Sequence, residues 1–483
     1  MSFNSYEFAL FFPVVVLISY LVPGRLRTFW LLISSYYFYM SWNPRYALLI
    51  ALSTLITWGA ALVIGKLPDT SVKARRGVLI ITLAANLGIL FVFKYANFAL
   101  ESAESVLSAL GIRCHSVRLD VLLPVGISFY TFQALSYIMD VYRDTIKPEK
   151  DLLRYALFVS FFPQLVAGPI ERSGRLLPQL DRLAGRSRTE LWDAGRVMEG
   201  LLLMLWGLFM KLTIADRVSP LVRNVYENYR EMGAVEIAVA AVLFSLQIYC
   251  DFGGYTCIAR GAARVLGIEL MQNFRQPYFA RGIRDFWRRW HISLTGWFTD
   301  YLYIPLGGNR RGTLRRYLNI LIVFGLSGLW HGASWNYVVW GLLHAFFQIT
   351  EDLFTRKAQQ SVRIPDLFRI IGTFAIVTVA WIFFAADSCG SAIGILGQCF
   401  RAFHMKKLTS LGLDTSAWAA LGICTALLFF VDLIHEKGRS VFAGFRRIAL
   451  PLQALMSAAL LWTVILLGAY GGSYDASFIY FRF

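Results

Sequence analysis

Long apolar runs recur along almost the whole chain, and they constrain its fold more than any other feature of the sequence. They predict membrane-crossing helices, because about 20 apolar residues span a hydrocarbon core of about 30 Å. The composition agrees, since 57% of the 483 residues are hydrophobic and 16% are charged. We predict an all-α polytopic membrane protein in which residues 1–483 form one membrane domain. The predicted spans, about ten in number, are 7–22, 28–41, 46–65, 77–96, 120–142, 197–215, 234–252, 368–386, 416–434 and 448–470.

Basic residues are concentrated in short segments between these runs. The net charge of +17 could indicate nucleic acid, but this distribution follows the positive-inside rule and predicts no nucleic-acid partner. The basic segments are therefore predicted to be cytoplasmic, which leaves both termini outside. They are 66–76, 172–188, 281–316 and 437–447.

The cysteines and the first apolar run exclude two further classes. The six cysteines have neither metal-ligand nor redox spacing, so we predict no metal site and no disulfide framework. The first run ends at Pro23-Gly24-Arg25 without a small-residue cleavage site. It is therefore predicted to be a retained span and not a signal peptide.

Two other apolar runs are too broken to cross the membrane as simple helices. Pro163, Gly168 and Pro169 interrupt the run 152–170. In the run 317–350, the first limb has about 14 residues and reaches only about 21 Å as a helix. Gly328, Gly332 and Ala333 then allow a turn, which would place His331 at the tip of a re-entrant hairpin deep in the membrane. The alternative is one long, tilted span.

The most informative stretch runs from Arg284 to Ala345, and it contains two tryptophan–histidine pairs. It begins RDFWRRWHISLTGWFTDYLYIPLGGNRRG and continues YLNILIVFGLSGLWHGASWNYVVWGLLHA. His291 and His331 each follow a tryptophan. A titratable group in hydrocarbon is costly, which favours a functional interpretation. The alternative is a neutral core histidine that is hydrogen-bonded to a backbone carbonyl.

The segment 284–298 is predicted to be one helix with two stripes. Arg284, Arg288, His291 and Thr295 share one side, and aromatic residues lie opposite. Such a helix is usually an interfacial anchor whose arginines meet lipid. The alternative is an anion site in which arginines bind the phosphates of a cytoplasmic cofactor. That candidate site comprises Arg284, Arg288, Arg310, Arg311, Arg315 and Arg316.

Two shorter motifs lie near this stretch. The sequence IPLGGN, residues 304–309, predicts a turn with positive φ at its glycines, and it lacks the lysine of a nucleotide-binding loop. Asp251, in CDFGGY, stands at the end of a predicted span. It is interpreted either as part of a capped helix end or as a carboxylate that lines a cavity.

The two histidine blocks, FFPQLVAGPIER at 161–172 and the terminal FIYFRF together resemble the membrane-bound O-acyltransferase family. The resemblance covers nearly the whole chain. It is strongest to the bacterial branch of alginate and peptidoglycan O-acetyltransferases, which is related to the D-alanyl transferase of teichoic acids.

The resemblance implies a fold in which funnels from both membrane faces meet at a central histidine. His331 matches that histidine, and it would act as the general base in neutral form. His291 matches the second histidine, and it would orient His331 or the thioester carbonyl. The resemblance also implies an enzyme of the bacterial cytoplasmic membrane that O-acetylates an extracytoplasmic polysaccharide. Acetyl-CoA is then the donor substrate, with no bound cofactor, and an extracytoplasmic SGNH-type transferase or esterase is the partner protein.

The last residues of the chain supply a further candidate, Tyr480. An aromatic tail just beyond a span favours an interfacial anchor. The resemblance implies instead that such a tail hands the acyl group to the partner, with Tyr480 as a transient carrier. Two other functions stay open at this point. One is a transporter or flippase without covalent chemistry, and the other is a structural scaffold in which His331 is replaceable.

Overall fold

The computed structural model describes residues 1–112, 118–165, 168–357, 365–401, 411–470 and 478–479, and every regular element there is helical. The all-α prediction is therefore confirmed. The chain forms two compact units. The first contains Met1–Val197 and Ala262–Met271, and the second contains Met198–Gly261 and Gln272–Phe483. The assignment of residues 1–483 to a single domain stays a prediction.

The first unit contains ten α-helices within its described residues. Arg27 is 1% exposed in the second of them, and it donates hydrogen bonds to the backbone carbonyls of Ser19, Val22, Leu183 and Arg186. A buried guanidinium is stable here because its donors are satisfied. The helices are Tyr6–Leu21, Gly24–Met40, Ala47–Lys66, Val72–Leu90, Ala96–Ala109, Ile127–Tyr142, Leu152–Ser160, Phe162–Leu165, Ser173–Gly185 and Arg188–Leu191, with a π-helical turn at Phe91–Tyr95 and a 3₁₀ turn at Pro44–Tyr46.

The second unit contains the remaining helices, and all the candidate site residues that the structure describes lie in it. Two helices have some residues in the first unit and the rest in the second, and these are Ala194–Leu208 and Ala234–Val265. The helices that belong wholly to the second unit are Asp216–Glu227, Ile283–Arg289, Ile292–Phe298, Thr313–His331, Trp335–Lys357, Asp366–Ala385, Cys389–Gln398, Thr415–Glu436, Val441–Phe445 and Leu450–Leu467. Its π-helical segments are Phe209–Ala215 and Thr299–Tyr303, and its 3₁₀ turns are Tyr229–Glu231 and Pro277–Phe279.

Seven helices in the described part of the chain are long and apolar enough to cross a membrane. They confirm a polytopic membrane protein, and each contains or overlaps a predicted span. Two of the other predicted spans correspond to shorter helices, Gly24–Met40 with 17 residues and Ile127–Tyr142 with 16. The run predicted to be broken near Pro163 is interrupted at Phe161, between Leu152–Ser160 and Phe162–Leu165.

The run 317–350 forms two helices joined by a short connection, and we call this pair, Thr313–His331 and Trp335–Lys357, the histidine hairpin. Two glycines lie where its helices cross. A Cβ atom on Gly328 would lie 2.1 Å from the carbonyl oxygen of Tyr337, and one on Gly341 would lie 2.1 Å from that of Phe324. Only glycine fits at such distances, so the two backbones are in direct contact. The predicted turn is confirmed, whereas its depth in the membrane stays a prediction.

Candidate active site

His331 is the last residue of the first hairpin helix, and its side chain is buried among aromatic rings. It is 3% exposed. Its ring centroid lies 5.0 Å from those of Trp330 and Trp340, and 5.4 Å from that of Phe384, in edge-on arrangements. Gly332, which follows, is extended and begins the connection. A helix end therefore presents His331 to a largely apolar surrounding.

His291 interrupts the segment that was predicted to be one helix. The segment forms two helices, Ile283–Arg289 and Ile292–Phe298, and His291 between them has φ 43° and ψ 53°. Asn273 fixes the break, because its carbonyl accepts from the Ile292 amide at 2.9 Å and its side chain accepts from the Ser293 amide at 3.3 Å. The prediction of a continuous helix is wrong, because these long-range hydrogen bonds outweigh the local periodicity.

The break removes His291 from the predicted arginine stripe. Its side chain is fully buried, whereas the side chain of Arg284 is 48% exposed. The left-handed conformation of a non-glycine residue costs about 1–3 kcal/mol, and such strained residues are enriched at functional sites. This conformation directs His291 into the core of the second unit.

The two histidines meet in the same aromatic cluster. Their ring centroids are 6.3 Å apart. The His291 ring also lies 4.7 Å from that of Phe252 and 5.8 Å from that of Trp330, which flanks His331. The sequence predicted that these histidines act together, and the structure brings them together.

Sequence reasoning missed a third buried histidine, His344, on the second hairpin helix. It is fully buried, and its Nδ1 accepts a hydrogen bond from Trp287 Nε1 at 3.3 Å. Trp340 lies 5.0 Å from both His331 and His344, so one indole contacts both imidazoles. The sequence does indicate this residue, since His344 lies in the same apolar run as His331.

A cavity of about 340 Å³, which we call the basic cavity, follows the first hairpin helix toward His331. Three of its lining residues are arginines, and its deepest residue on this helix is Ser327, one helical turn before His331. Apolar and aromatic side chains form most of the remaining wall. It is lined by Arg284, Trp287, Arg288, Leu294, Thr295, Phe298, Thr299, Tyr303, Asn309, Arg316, Ile320, Val323, Phe324, Ser327 and Gln348.

Asp352 forms ion pairs with two arginines that line the basic cavity. Arg284 Nη2 lies 3.0 Å from Asp352 Oδ1, and Arg316 is in contact with Oδ2. The neighbouring carboxylate of Glu351 accepts from the Ile283 amide at 2.6 Å and so caps that helix. Arg288 is exposed and forms no ion pair within the described residues. Neither carboxylate was predicted, because nothing local in the sequence indicates these partners.

The other arginines of the predicted set lie apart from this lining. Arg310 and Arg311 are exposed, and Arg315 donates from Nε to the Leu306 carbonyl at 3.4 Å. The turn before them is confirmed, because Gly307 has φ 108° and Gly308 has φ 52°. A donor-binding role for any of the six arginines stays a prediction.

A second cavity of about 570 Å³, which we call the tail cavity, begins at the residue after His331. Ile479, from the C-terminal end of the chain, is part of its wall. The predicted carrier Tyr480 is the next residue, and it lies outside the described residues. The cavity is lined by Ser219, Val222, Arg223, Tyr226, Glu227, Tyr229, Phe244, Gln247, Gly332, Ala333, Ser334, Asn336, Tyr337, Ala385, Ala386, Asp387, Ser391, Ile395 and Ile479.

Asp251 is buried inside the helix Ala234–Val265, and it does not cap a helix end as one interpretation had it. Its carboxylate lies 2.7 Å from Lys211 Nζ and accepts a hydrogen bond from the Ile479 amide. Lys211 was not singled out in the sequence. These contacts can fix the end of the chain.

Within the described residues, no group of three or more histidine, cysteine or acidic side chains is placed to hold a metal ion.

A family model and individual known proteins identify the same family for this chain. The model of the family "MBOAT, membrane-bound O-acyltransferase family" matches residues 144–392. The "Probable alginate O-acetylase" of Azotobacter vinelandii is 35% identical over 446 residues, which cover 92% of this chain and 86% of that protein. The "Peptidoglycan O-acetyltransferase" of Helicobacter pylori is 33% identical over 76% of this chain and 72% of that protein. A "Teichoic acid D-alanyltransferase" of Bacillus subtilis is 28% identical over 54% of this chain and 68% of that protein.

Proposed function

Because the chain belongs to the membrane-bound O-acyltransferase family, and so is an O-acyltransferase of a membrane, we propose that it O-acetylates an extracytoplasmic polysaccharide. The donor in this proposal is cytoplasmic acetyl-CoA. The acceptor is alginate, peptidoglycan or a similar polymer, as the names of the similar proteins suggest. The membrane is the bacterial cytoplasmic membrane, with the basic segments inside and both termini outside.

One observation supports this function above the others: residues shortly before and directly after His331 line two different cavities. Ser327 lines the basic cavity and Gly332 lines the tail cavity. Ser327 precedes His331 by four residues, about 6 Å of helix, and Gly332 is the next residue, so we infer that a group held at His331 is within reach of both cavities. A transferase needs such an arrangement, because donor and acceptor have to meet at one base.

The basic cavity is suited to the donor. Coenzyme A is a polyanion with an apolar arm and a thioester end. Arg284, Arg288 and Arg316 would bind its phosphates near the cavity entrance. The apolar wall toward Ser327 would hold the arm, so that the thioester carbonyl lies beside His331. His291, in the same cluster, would orient His331 or that carbonyl.

The first step transfers the acetyl group to a hydroxyl. Neutral His331 accepts the proton of the attacking hydroxyl, whose oxygen forms a bond to the thioester carbon. The carbon–sulfur bond then breaks, and the leaving thiolate takes the proton from the imidazolium. The products are an acetyl ester and the free thiol of coenzyme A, and His331 is neutral again.

In this proposal the first acceptor is the phenol of Tyr480, and its acetyl ester is then passed outward. A hydroxyl of the partner protein or polymer attacks the tyrosyl ester, the carbon–oxygen bond to the phenol breaks, and the phenol regains a proton. An extracytoplasmic SGNH-type partner completes the transfer to the polysaccharide. The tail cavity, with hydroxyl, amide and charged side chains of both signs, would receive that partner or acceptor.

The test uses purified full-length protein in lipid vesicles with acetyl-CoA that is isotopically labelled in the acetyl group. We expect one labelled acetyl group on the C-terminal peptide in the parental protein and none in Tyr480→Phe. Tyr470→Phe is the matched control, since the Tyr470 hydroxyl donates to the Val464 carbonyl at 2.7 Å. Equal labelling of the parental protein and Tyr480→Phe would exclude the tyrosyl relay, and failure of acetyl-CoA to label or release its thiol would exclude this donor.

A further inference from the structure

Three charged side chains are buried together in the second unit, apart from the two histidines. Lys211 Nζ lies 2.7 Å from Asp216 Oδ1 and 2.7 Å from Asp251 Oδ1. The three residues are 1–2% exposed, and all lie in helical stretches that are apolar enough to cross a membrane. Ionisable residues at such positions are costly and are usually retained for a function. The transfer chemistry above does not use any of them.

Two carboxylates share the ammonium of Lys211, and Asp251 has a second donor from the end of the chain. Asp251 Oδ1 faces Lys211, whereas Asp251 Oδ2 accepts the backbone N–H of Ile479 at 2.7 Å. A buried carboxylate oxygen without a donor would be strongly destabilising. The chain end therefore supplies a donor that the cluster needs.

The same region fastens the chain before the tail. Lys211 lies in the π-helical segment Phe209–Ala215, and such segments occur often at functional sites. The Leu212 carbonyl in this segment accepts from the Ala469 amide at 2.9 Å. Arg217 donates to the Leu467 carbonyl at the end of the last helix. The chain is thus held to one neighbourhood both at 467–469 and at Ile479.

Aromatic packing connects the tail to the histidines. Phe478 is fully buried, and its ring lies 4.3 Å from that of Tyr255 in a stacked arrangement. It also lies 5.9 Å from Phe252, whose ring contacts His291 at 4.7 Å. Ile479 in turn lines the tail cavity together with Gly332. Both described residues of the tail are therefore seated against the candidate active site.

We propose that Asp251 is a positioning residue that holds the C-terminal tail at the tail cavity through the amide of Ile479. Lys211, whose ammonium lies 2.7 Å from Asp251 Oδ1, holds this carboxylate in place. The role rests on the proposed function only in that Tyr480 follows Ile479 directly in the sequence. The seat itself follows from the described contacts alone.

The first experiment measures amide hydrogen exchange of the C-terminal peptide by mass spectrometry in full-length protein in lipid nanodiscs. Asp251→Leu removes the acceptor and leaves Lys211 and Asp216 as a balanced pair. Asp216→Leu is the matched control, because it leaves an equally balanced pair and keeps the acceptor. A hydrogen bond to a charged group corresponds to about tenfold or more in an opening equilibrium. We expect about tenfold faster exchange of the tail in Asp251→Leu and near-parental exchange in Asp216→Leu. Equal exchange in the two variants would overturn the proposal.

A second pair of variants acts from the tail side, where folding of the helices is not at stake. Ile479→Pro removes the amide N–H, and Ile479→Ala keeps it while it removes most of the side chain. We expect Ile479→Pro to expose the tail to carboxypeptidase and to lower polymer acetylation about tenfold or more. The tail of the Ile479→Ala variant should resist carboxypeptidase better than the tail of the Ile479→Pro variant. Equal protection in the two would show that the amide does not hold the tail.

The two proposals fail separately in these measurements. Exchange and carboxypeptidase protection need no acetyl donor, so they test the seat even if the acetyl relay is wrong. If the tail is held as proposed but Tyr480 is not acetylated, only the relay fails. If Tyr480 is acetylated and Asp251→Leu leaves the exchange unchanged, only the positioning role fails.

Discussion

The two cavities beside the histidine hairpin differ in what they offer to a ligand. The basic cavity presents three arginines and an apolar wall that narrows toward Ser327, without an acidic residue in its described lining. The tail cavity has one arginine, Glu227, Asp387 and several hydroxyl groups, and it includes a residue of the chain's own tail. The first therefore suits a large anion with an apolar arm, and the second suits neutral hydroxyl groups or a polypeptide. In the proposed reaction, the two cavity walls and not His331 would therefore set the direction of transfer.

Removal of His331 should abolish the function of both cavities at once, and we expect the largest effect here. His331→Ala removes the proposed base, so acetyl ester in the envelope polymer should fall about 100-fold or more. Ester content and the amount of protein in the membrane are measured together. His435→Gln is a matched histidine change outside both cavities and should keep ester content near parental. Near-parental ester content in His331→Ala would exclude the role as base.

Replacement of His291 tests whether the second histidine serves the same step. His291→Asn keeps a residue that tolerates positive φ and removes the imidazole. We expect acetyl transfer to fall by about 10–100-fold, within the usual range for a group that orients a base. His291→Ala also removes the imidazole, and it adds backbone strain. If only the alanine variant has a lower melting temperature while both lose acetyl transfer, the loss of transfer comes from the missing imidazole and not from the strain. If both variants lose the folded protein, His291 has a structural role.

Replacement of Arg288 should affect only the donor side. It lines the basic cavity and forms no ion pair within the described residues, so Arg288→Gln removes a charge without exposing a buried partner. We expect the KM for acetyl-CoA to rise about tenfold with little change in kcat, because a charge-assisted hydrogen bond is worth about 1.5–3 kcal/mol. The double variant Arg310→Gln/Arg311→Gln measures the exposed pair, and its increase in KM should be smaller. An unchanged KM in Arg288→Gln would assign this arginine to lipid binding.

Replacement of Gln247 should affect only the acceptor side, with the smallest effect. Gln247 lines the tail cavity and is 8% exposed, and its Oε1 has no hydrogen-bond partner within the described residues. Gln247→Leu removes one polar contact, and we expect transfer to polymer to fall about threefold to tenfold, the equivalent of about 1 kcal/mol. The KM for acetyl-CoA should stay at the parental value. A change in that KM would contradict the division of labour between the cavities.

The sequence predicted the parts of this molecule that depend on local patterns. Apolar runs predicted the helical membrane class, and Gly332 predicted the turn after His331. Both were confirmed because the length of a run and the flexibility of glycine act within a few residues. The Gly307-Gly308 turn was confirmed for the same reason.

The parts that were missed depend on residues far apart in the chain. His291 breaks its helix because Asn273, 18 positions earlier, accepts the hydrogen bonds of the next two amides. Asp352 pairs with arginines of two other segments, and Asp251 bonds to an amide 228 positions away. Periodicity describes which residues share a helix face, and it contains no information about partners elsewhere in the chain. The roles of the site residues stay predictions until the variants above are measured.

The glycine crossing of the histidine hairpin limits how this protein can move. Gly328 and Gly341 let two backbones touch, and a sliding or hinging motion there would drive side chains into main-chain atoms. The close contact disfavours such motion, so we expect His331 at the end of the first hairpin helix to keep its position. An alternating-access carrier changes its exposure by rocking its helices around the bound substrate. In the proposed reaction, by contrast, the substrates travel to His331, which does not change its exposure.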